Sequence, residues 1–420
     1  MNLARLGLFY AFAALMCASA IGQNNFNVIY NFMNYPNDGA FPTGDVVFDA
    51  RGNMYGTTAA GGSSEGCIEG CGAVFELSPN QDGTWSESVI YSFCSVGGCA
   101  DGNVPIGALV LDSHGNLYGT TYNGGISRCI DGCGIAYKLS PPSQQGKPWK
   151  ESVLYRFCNI QQGDECLDGE NPSSALIFDS AGNLYGTANG GNGDISGGGI
   201  VFELTPGEPN WTETVLYDFC SQGASCPDGY NPSGSVIFDP VGNLYGMTTN
   251  SGNQSAPGGT VYELVHSANG WSYKSILEIP STATSGSLSG APTFDALGNL
   301  CGTFTVPKGG VFRINPTTGK LGVFSFNGTD GATPNGIFVN PTTNIGYGTT
   351  EIGGISNDGV AFAITENGKE TELHSFCSLS NCEDGQYPES RLIPNAAGNL
   401  YGTAHFGGTA YSGVIFEISP

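Results

Sequence analysis

Basic side chains are scarce in this chain: 13 Lys and Arg stand against 37 Asp and Glu in 420 residues, a formal net charge of −24. A field of that sign repels nucleic acid and anionic lipid, so neither is an expected partner. Charged residues of both signs make up only 12% of the chain, while Gly reaches 66 residues. Few charges and many glycines suit short strands joined by tight turns. No long stretch shows helical periodicity, which argues against an α-helical fold. Beyond the N-terminus no apolar run is long enough to span a bilayer. Histidine is also rare. The four present, His114, His266, His374 and His405, fall in different repeats without metal-ligand spacing. No phosphate-binding loop and no His-Glu-x-x-His string occurs. The familiar signatures of nucleotide and zinc-hydrolase chemistry are therefore missing.

The first twenty residues stand apart. Arg5 precedes an apolar stretch from Leu6 to Ala18, and Ala18-Ser19-Ala20 fits a small-x-small cleavage site. Residues 1–20 are read as a secretory signal, leaving 21–420 as the mature chain and a secreted location, outside the cell or in a periplasm. No C-terminal anchor is expected. A lipoprotein attachment at Cys17 fits less well, because bulky Met16 stands where a small residue is needed. The cysteines agree with export. Apart from Cys17, twelve of the remaining thirteen form close pairs: Cys67/Cys71, Cys94/Cys99, Cys129/Cys133, Cys158/Cys166, Cys220/Cys226 and Cys377/Cys382. Local pairs in a secreted chain are most simply disulfides, each closing a short loop worth about 2 kcal/mol on the chain-entropy model. Zinc is the rival, but these spacings lack nearby His. Cys301 is left over and is expected to be a buried free thiol.

One phrase recurs from end to end: apolar-x-Phe-Asp-x-x-Gly-Asn-Leu-Tyr-Gly-Thr. Its Tyr position falls at Tyr55, Tyr118, Tyr185, Tyr245, Cys301, Tyr347 and Tyr401. Such a period means one supersecondary unit stacked on copies of itself. The copy starting at Gly234 holds four β-rich runs: Gly234 to Asp239, Leu244 to Thr249, Gly259 to Leu264 and Trp271 to Ile279. Four short antiparallel strands per copy is the make-up of a propeller blade. Seven copies predict an all-β, seven-bladed propeller in a single domain over 21–420. The last copy stops after its third strand, Val414 to Ile418. The segment Phe26-Asn-Val-Ile-Tyr-Asn-Phe32 matches the missing fourth strand and should close the ring, removing two sheet edges.

The Gly-Asn-Leu-Tyr-Gly-Thr core, the Gly-Gly loop, Val-Phe-Glu-Leu-x-Pro and the Asp-Gly-x-x-Pro segments together resemble the GloVer tandem repeat of Gloeobacter and Verrucomicrobia, and more broadly the NHL-type propellers. The resemblance covers nearly all of the mature chain. It implies a secreted bacterial protein and assigns no biochemical role. Copies five and six depart most, with Asn299-Leu-Cys-Gly302 and Ile345-Gly-Tyr-Gly348 in place of the core.

Loops on one face of such a disc hold everything unusual. Those between strands two and three carry the Gly-Gly segments and two cysteine pairs. Those joining successive blades carry the other pairs and the Asp-Gly-x-x-Pro aspartates Asp38, Asp101, Asp168, Asp228, Asp330 and Asp384. Glu65, Glu69, Asp131, Asp164, Glu165, Asp194, Asp358 and Glu383 add to the acidity, with Arg128 and Lys308 nearly alone against them. Function favours loops on rigid scaffolds. The candidate ligand-binding residues are therefore Asp101, Asp168, Asp228, Asp330 and Asp384, although Asp-Gly is also plain turn chemistry. Asp45 and Arg391 join them: in a closed ring they fall in neighbouring blades and should pair near the channel mouth. No cofactor is required; Ca²⁺ is the one candidate, since it takes several oxygen ligands. Trp85, Trp149, Trp211 and Trp271 open the fourth strands and are expected to pack over blade edges rather than stack on sugars. The expected function is non-catalytic recognition of a glycan or cell-surface protein by a monomer. The alternatives are a polysaccharide hydrolase or lyase, for which no catalytic residue can be named, and a structural envelope protein.

Overall fold

The computed structural model describes residues 25–419 apart from 35, 127, 145, 164, 192–197, 208–209, 224, 252–257, 279–286 and 306–307. The expected signal at 1–20 and the acidic residues Asp164 and Asp194 lie outside the described residues. Each copy of the repeat builds one antiparallel sheet, and seven such sheets follow one another round a ring. Blade 4 shows the plan. Tyr230–Phe238, Leu244–Asn250, Thr260–Ser267 and Gly270–Glu278 pair in sequence order, from the axis outward.

The recurring phrase folds for local reasons. The Asp239 carboxylate accepts the backbone N–H groups of Val241 and Asn243 and the Asn243 side chain. Gly242 takes the positive φ of 95° that completes the turn. Asp49, Asp112, Asp179 and Asp295 repeat the arrangement, and Asn395 serves in the last blade. The Gly of Leu-Tyr-Gly has a packing cause. An aromatic side chain from the third strand lies on it in every blade, and an added Cβ would sit 2.2–2.7 Å from that side chain (Gly246 under Tyr262, Gly186 under Phe202).

The first strand differs from expectation. In blade 4 it starts at Tyr230, before the expected Gly234, and it carries a bulge between Ser233 and Ile237. Blades 1 and 5 bulge at the same place, between Thr43 and Val47 and between Ser289 and Thr293. Strands crowd at the axis, and the extra residues let the chain bend there. In blades 2 and 3 the first strand is reduced to Val110–Leu111 and Ile177–Phe178, with the isolated bridges Asn103 to Asn123 and Glu170 to Asn189 ahead of them.

Ring closure follows the expected route. Asn25–Asn31 pairs antiparallel with Val414–Ser419, so the first strand completes the last blade. Phe32, fully buried, sits against Phe75 of blade 1. Two further devices lock most blades to the next. The Gly before the third strand admits a Pro of the following blade: Pro105 against Gly72, Pro172 against Gly134, Pro232 against Gly199, Pro334 against Gly309, Pro388 against Gly359 and Pro42 against Gly413. The Thr of Tyr-Gly-Thr donates across the junction, Thr57 to the Gly107 carbonyl, Thr120 to Ser174, Thr187 to Gly234, Thr349 to Ser390 and Thr403 to Gly44. Blade 4 has Met247 there, and Ser233 bonds the Leu288 carbonyl instead.

Candidate functional site

The loops between strands two and three and the links between blades meet on one face, as the topology requires. In each of five blades the second Gly of the Gly-Gly pair donates its N–H to the incoming link: Gly62 to Asp38, Gly125 to Cys99, Gly191 to Cys166, Gly354 to Thr329 and Gly408 to Cys382. Both glycines of each pair have positive φ, a conformation that costs other residues about 1 kcal/mol or more. The same loops also bond the next blade, as in Val104 N–H to Cys71 O, Asn171 to Cys133 and Tyr387 to Asp358. A belt of backbone hydrogen bonds thus runs round this face.

All six expected cysteine pairs are disulfides, and Cys301 is free and buried. The bridges Cys67–Cys71 and Cys129–Cys133 close the loops of blades 1 and 2. Cys94–Cys99, Cys158–Cys166, Cys220–Cys226 and Cys377–Cys382 close links. The bridges lie largely inside the face. Cys71, Cys133, Cys158, Cys166, Cys220, Cys226 and Cys382 are buried, and Cys226 has no exposed surface at all. Such short bridges turn their sulfurs under the loop, so they brace the face from within and do not line it. Ligand atoms of Cys129, Cys133, Cys158, Cys166 and Glu170 crowd within 4.8 Å, but sulfurs held in disulfides are not thiolate ligands.

The aspartates singled out in the sequence are mostly inside the loops. Asp38, Asp101, Asp168, Asp228 and Asp384 are at most 5% exposed. Each carboxylate gathers the start of its own link. Asp101 accepts the Tyr91 hydroxyl and the N–H groups of Ser95 and Val96; Asp168 accepts Tyr155, Asn159 N–H and Ile160 N–H. Asp228 accepts Tyr217 and Cys220 N–H. In Asp384, burial pushes the carboxyl up, and bonds from His374, Ser378 and Leu379 N–H override it and hold it down at about 2. Asp330 alone of the set stays at the surface, capped by Asn327. Loop stapling accounts for what these groups touch. Asp358, counted among the acidic loop residues, is also buried and accepts Gln386.

Asp45 and Arg391 meet as expected. Asp45 lies in the bulge of the first strand of blade 1, and Arg391 in the stretch between the short strands Gln386–Pro388 and Ile393–Pro394 of blade 7. Asp45 accepts Arg391 backbone N–H at 2.7 Å, Nε at 2.7 Å and Nη2 at 2.6 Å. The pair ties the ring where its two ends join.

What the face presents outward was not anticipated. Among the described residues twelve large apolar side chains are exposed, and eight sit on these loops: Met33, Ile68, Val96, Ile130, Ile160, Ile355, Leu379 and Tyr411. Five of the eight lie between bridged cysteines, Ile68 and Ile130 being 100% and 92% exposed. The signal was present in Cys-Ile-x-Gly-Cys: a four-residue bridge leaves the apolar side chain no way to fold back under its loop. Exposed Glu65, Glu69, Asp131, Glu165 and Glu383 stand beside these tips.

The plain face carries a second feature, a cleft between blades 3 and 4 of about 560 Å³ lined by Asp179, Tyr185, Glu203, Asp239, His266 and Trp271. Its aspartates are occupied in the turns described above. The string Gly62-Ser-Ser-Glu-Gly66 has the spacing of a nucleophile elbow, yet it lies in the bridged loop between two strands rather than at a strand-to-helix turn.

The fold and its repeat define a propeller with a loop-decorated face. By family it is now placed: the model of the Gloeobacter/Verrucomicrobia repeat matches residues 131–324 and 302–420, and the chain belongs to that family. No curated protein matches the chain in sequence. Among solved structures it is similar to the GH74 enzyme of Niastella koreensis (14% identity, 92% of this chain and 53% of that one, TM-score 0.56). It is also similar to a puromycin hydrolase (13% identity, 87% and 50%, TM-score 0.56) and to the periplasmic gluconolactonase of Pseudomonas aeruginosa (14%, 79% and 84%, TM-score 0.47). The chain spans about half the length of the first two. At these identities the likeness is one of fold, and fold does not carry activity. No helix among the described residues is long and apolar enough to cross a membrane.

Proposed function

We propose that this is a secreted recognition protein that docks a protein partner on its braced loop face. The observation that supports this is the ring of eight exposed apolar tips, five of them clamped by disulfides. Exposed apolar groups gathered on one face mark interaction surfaces. Bridges that hold them out in advance reduce the ordering cost of binding. The carboxylates beside them favour a partner with an apolar patch bordered by Lys and Arg. Aliphatic tips favour a cell-surface protein over a glycan, which is met by aromatic and polar groups. Most link carboxylates already accept backbone N–H groups, whereas Asp228 buries its Oδ1 without a hydrogen-bond partner among the described residues, so the chelator arm of the test below decides whether calcium contributes. The disulfides suit an oxidising compartment, consistent with export by the segment 1–20. The unit that binds is a single propeller.

The test is binding of residues 21–420 to envelope proteins of the producing cell, with and without chelator. Wild type is compared with Ile68→Ser/Ile130→Ser. Retention that survives chelation, is lost on protease treatment of the envelope, and falls about tenfold or more in the variant supports the reading. Retention of a polysaccharide that the variant binds equally well contradicts it. Shortening of that polysaccharide would turn attention to a hydrolase at the cleft of Glu203 and Trp271.

A further inference from the structure

Four of the seven blade junctions are closed at the outer edge by an indole. Trp85, Trp149, Trp211 and Trp271 each lie 6.0–6.5 Å from the repeat Tyr of the preceding blade. At the junction of blades 5 and 6 the register puts small residues in every corresponding place. Cys301 stands for the Tyr. Gly368, two residues before Glu370, stands where Trp85 precedes Glu87. The pair Val339 and Gly346 replaces Phe48 and Met54. Ile337 leans toward Gly346, but a cavity of about 520 Å³ remains.

This space differs from a mere packing gap in two ways. Its mouth is framed by Leu297, Leu321 and Val323, which are 69%, 43% and 56% exposed. They are three of the four large apolar residues exposed away from the loop face. Its wall also carries two of the 13 cations in the chain, Arg313 and Lys320, together with the carboxylates of Asp295 and Glu366. Arg313 occupies the place of Glu76, Glu203, Glu263 and Glu417 in other blades, and bonds Asp295 through Nε. Among the described residues Lys320 has no carboxylate within ion-pair distance.

We propose that the cavity binds a planar aromatic acid of indole size. Its ring takes the volume that Trp and Tyr fill elsewhere, against Phe312, Ile337 and Ile364, and its acid group meets Arg313 and Lys320. The volume is in the range of small-molecule sites, which combine apolar walls with a few convergent polar groups. An anion there gains charge-assisted hydrogen bonds from Lys320 and from the guanidinium nitrogens that Arg313 does not give to Asp295, while Asp295 and Glu366 are already bonded to Arg313 and Asn344.

The test uses indole-3-acetate and neutral indole as probes, titrated calorimetrically into residues 21–420. The acid is expected to bind about tenfold more tightly than indole, with Lys320→Gln removing most of that preference. Cys301→Tyr/Val339→Phe, which refills the cavity, should abolish binding of both. Should the refilled variant not fold, Cys301 of the wild type reports directly. Its modification by methyl methanethiosulfonate should slow about tenfold under saturating indole-3-acetate. No heat and no protection, equal affinity for acid and neutral ring, or undiminished binding by the folded refilled variant would each overturn the proposal.

Discussion

At the residue scale the propeller rests on contacts that tolerate one side chain only. Gly186 lies under the Phe202 ring with no room for a methyl group. Gly186→Ala should destabilise the protein by about 2–3 kcal/mol, measured by denaturant unfolding; an unchanged midpoint would show that the ring can move. The fourth strands carry a second residue-level signature. Glu87, Glu151, Glu213 and Glu370 each bury Oε1 without a hydrogen-bond partner among the described residues. Burial first, and then the charge of a neighbouring link Asp, pushes Glu87 and Glu213 up to about 8 and Glu151 and Glu370 up to about 7. The usual glutamate value is 4.5, so between that pH and about 8 the folded chain holds protons that the unfolded chain has released. The contribution of these four groups to stability is therefore fully present below this window and is lost as pH rises through it. Thermal melts at pH 5 and pH 8 should show the loss, and Glu87→Gln/Glu213→Gln should make the melting temperature less pH-dependent. An identical pH slope in the variant would contradict the assignment.

Among elements, the strand Asn25–Asn31 closes the ring, and Phe32 beyond it is fully buried. Phe32→Ala should cost about 3–5 kcal/mol. It should also expose the Val414–Ser419 edge, seen as faster amide exchange in that strand; exchange confined to blade 1 would argue against closure by this segment. Blade count, closure and disulfide pairing were legible because each depends on a period or a local spacing. The Asp45–Arg391 pair was legible because closure makes distant numbers neighbours. The tips were not: the carboxylates drew attention as surface charge, whereas Tyr hydroxyls and backbone N–H groups turn them inward. Nor was the cavity at Cys301, although both departing cores were visible. A single Tyr to Cys change opens nothing until register shows that Gly368, Val339 and Gly346 are small at the same junction.

For the whole molecule, charge and apolar tips act together. A net charge of −24 should speed encounter with a basic partner, so raising salt from 50 to about 500 mM should slow association more than dissociation. Selective reduction of the single bridge Cys67–Cys71 should weaken binding more than it lowers stability, since one short loop contributes only about 2 kcal/mol. Binding unaffected by reduction would mean that the tips are held by the backbone belt alone. The most direct test of the central claim is site-specific photocrosslinking in the producing cell. Photoreactive residues would replace Ile68, Ile130 and Leu379 on the loop face, with Val241, 81% exposed in a turn on the plain face, as control. The account predicts a shared protein adduct from the three loop positions and none from position 241. An adduct from position 241 with none from the loops would contradict it.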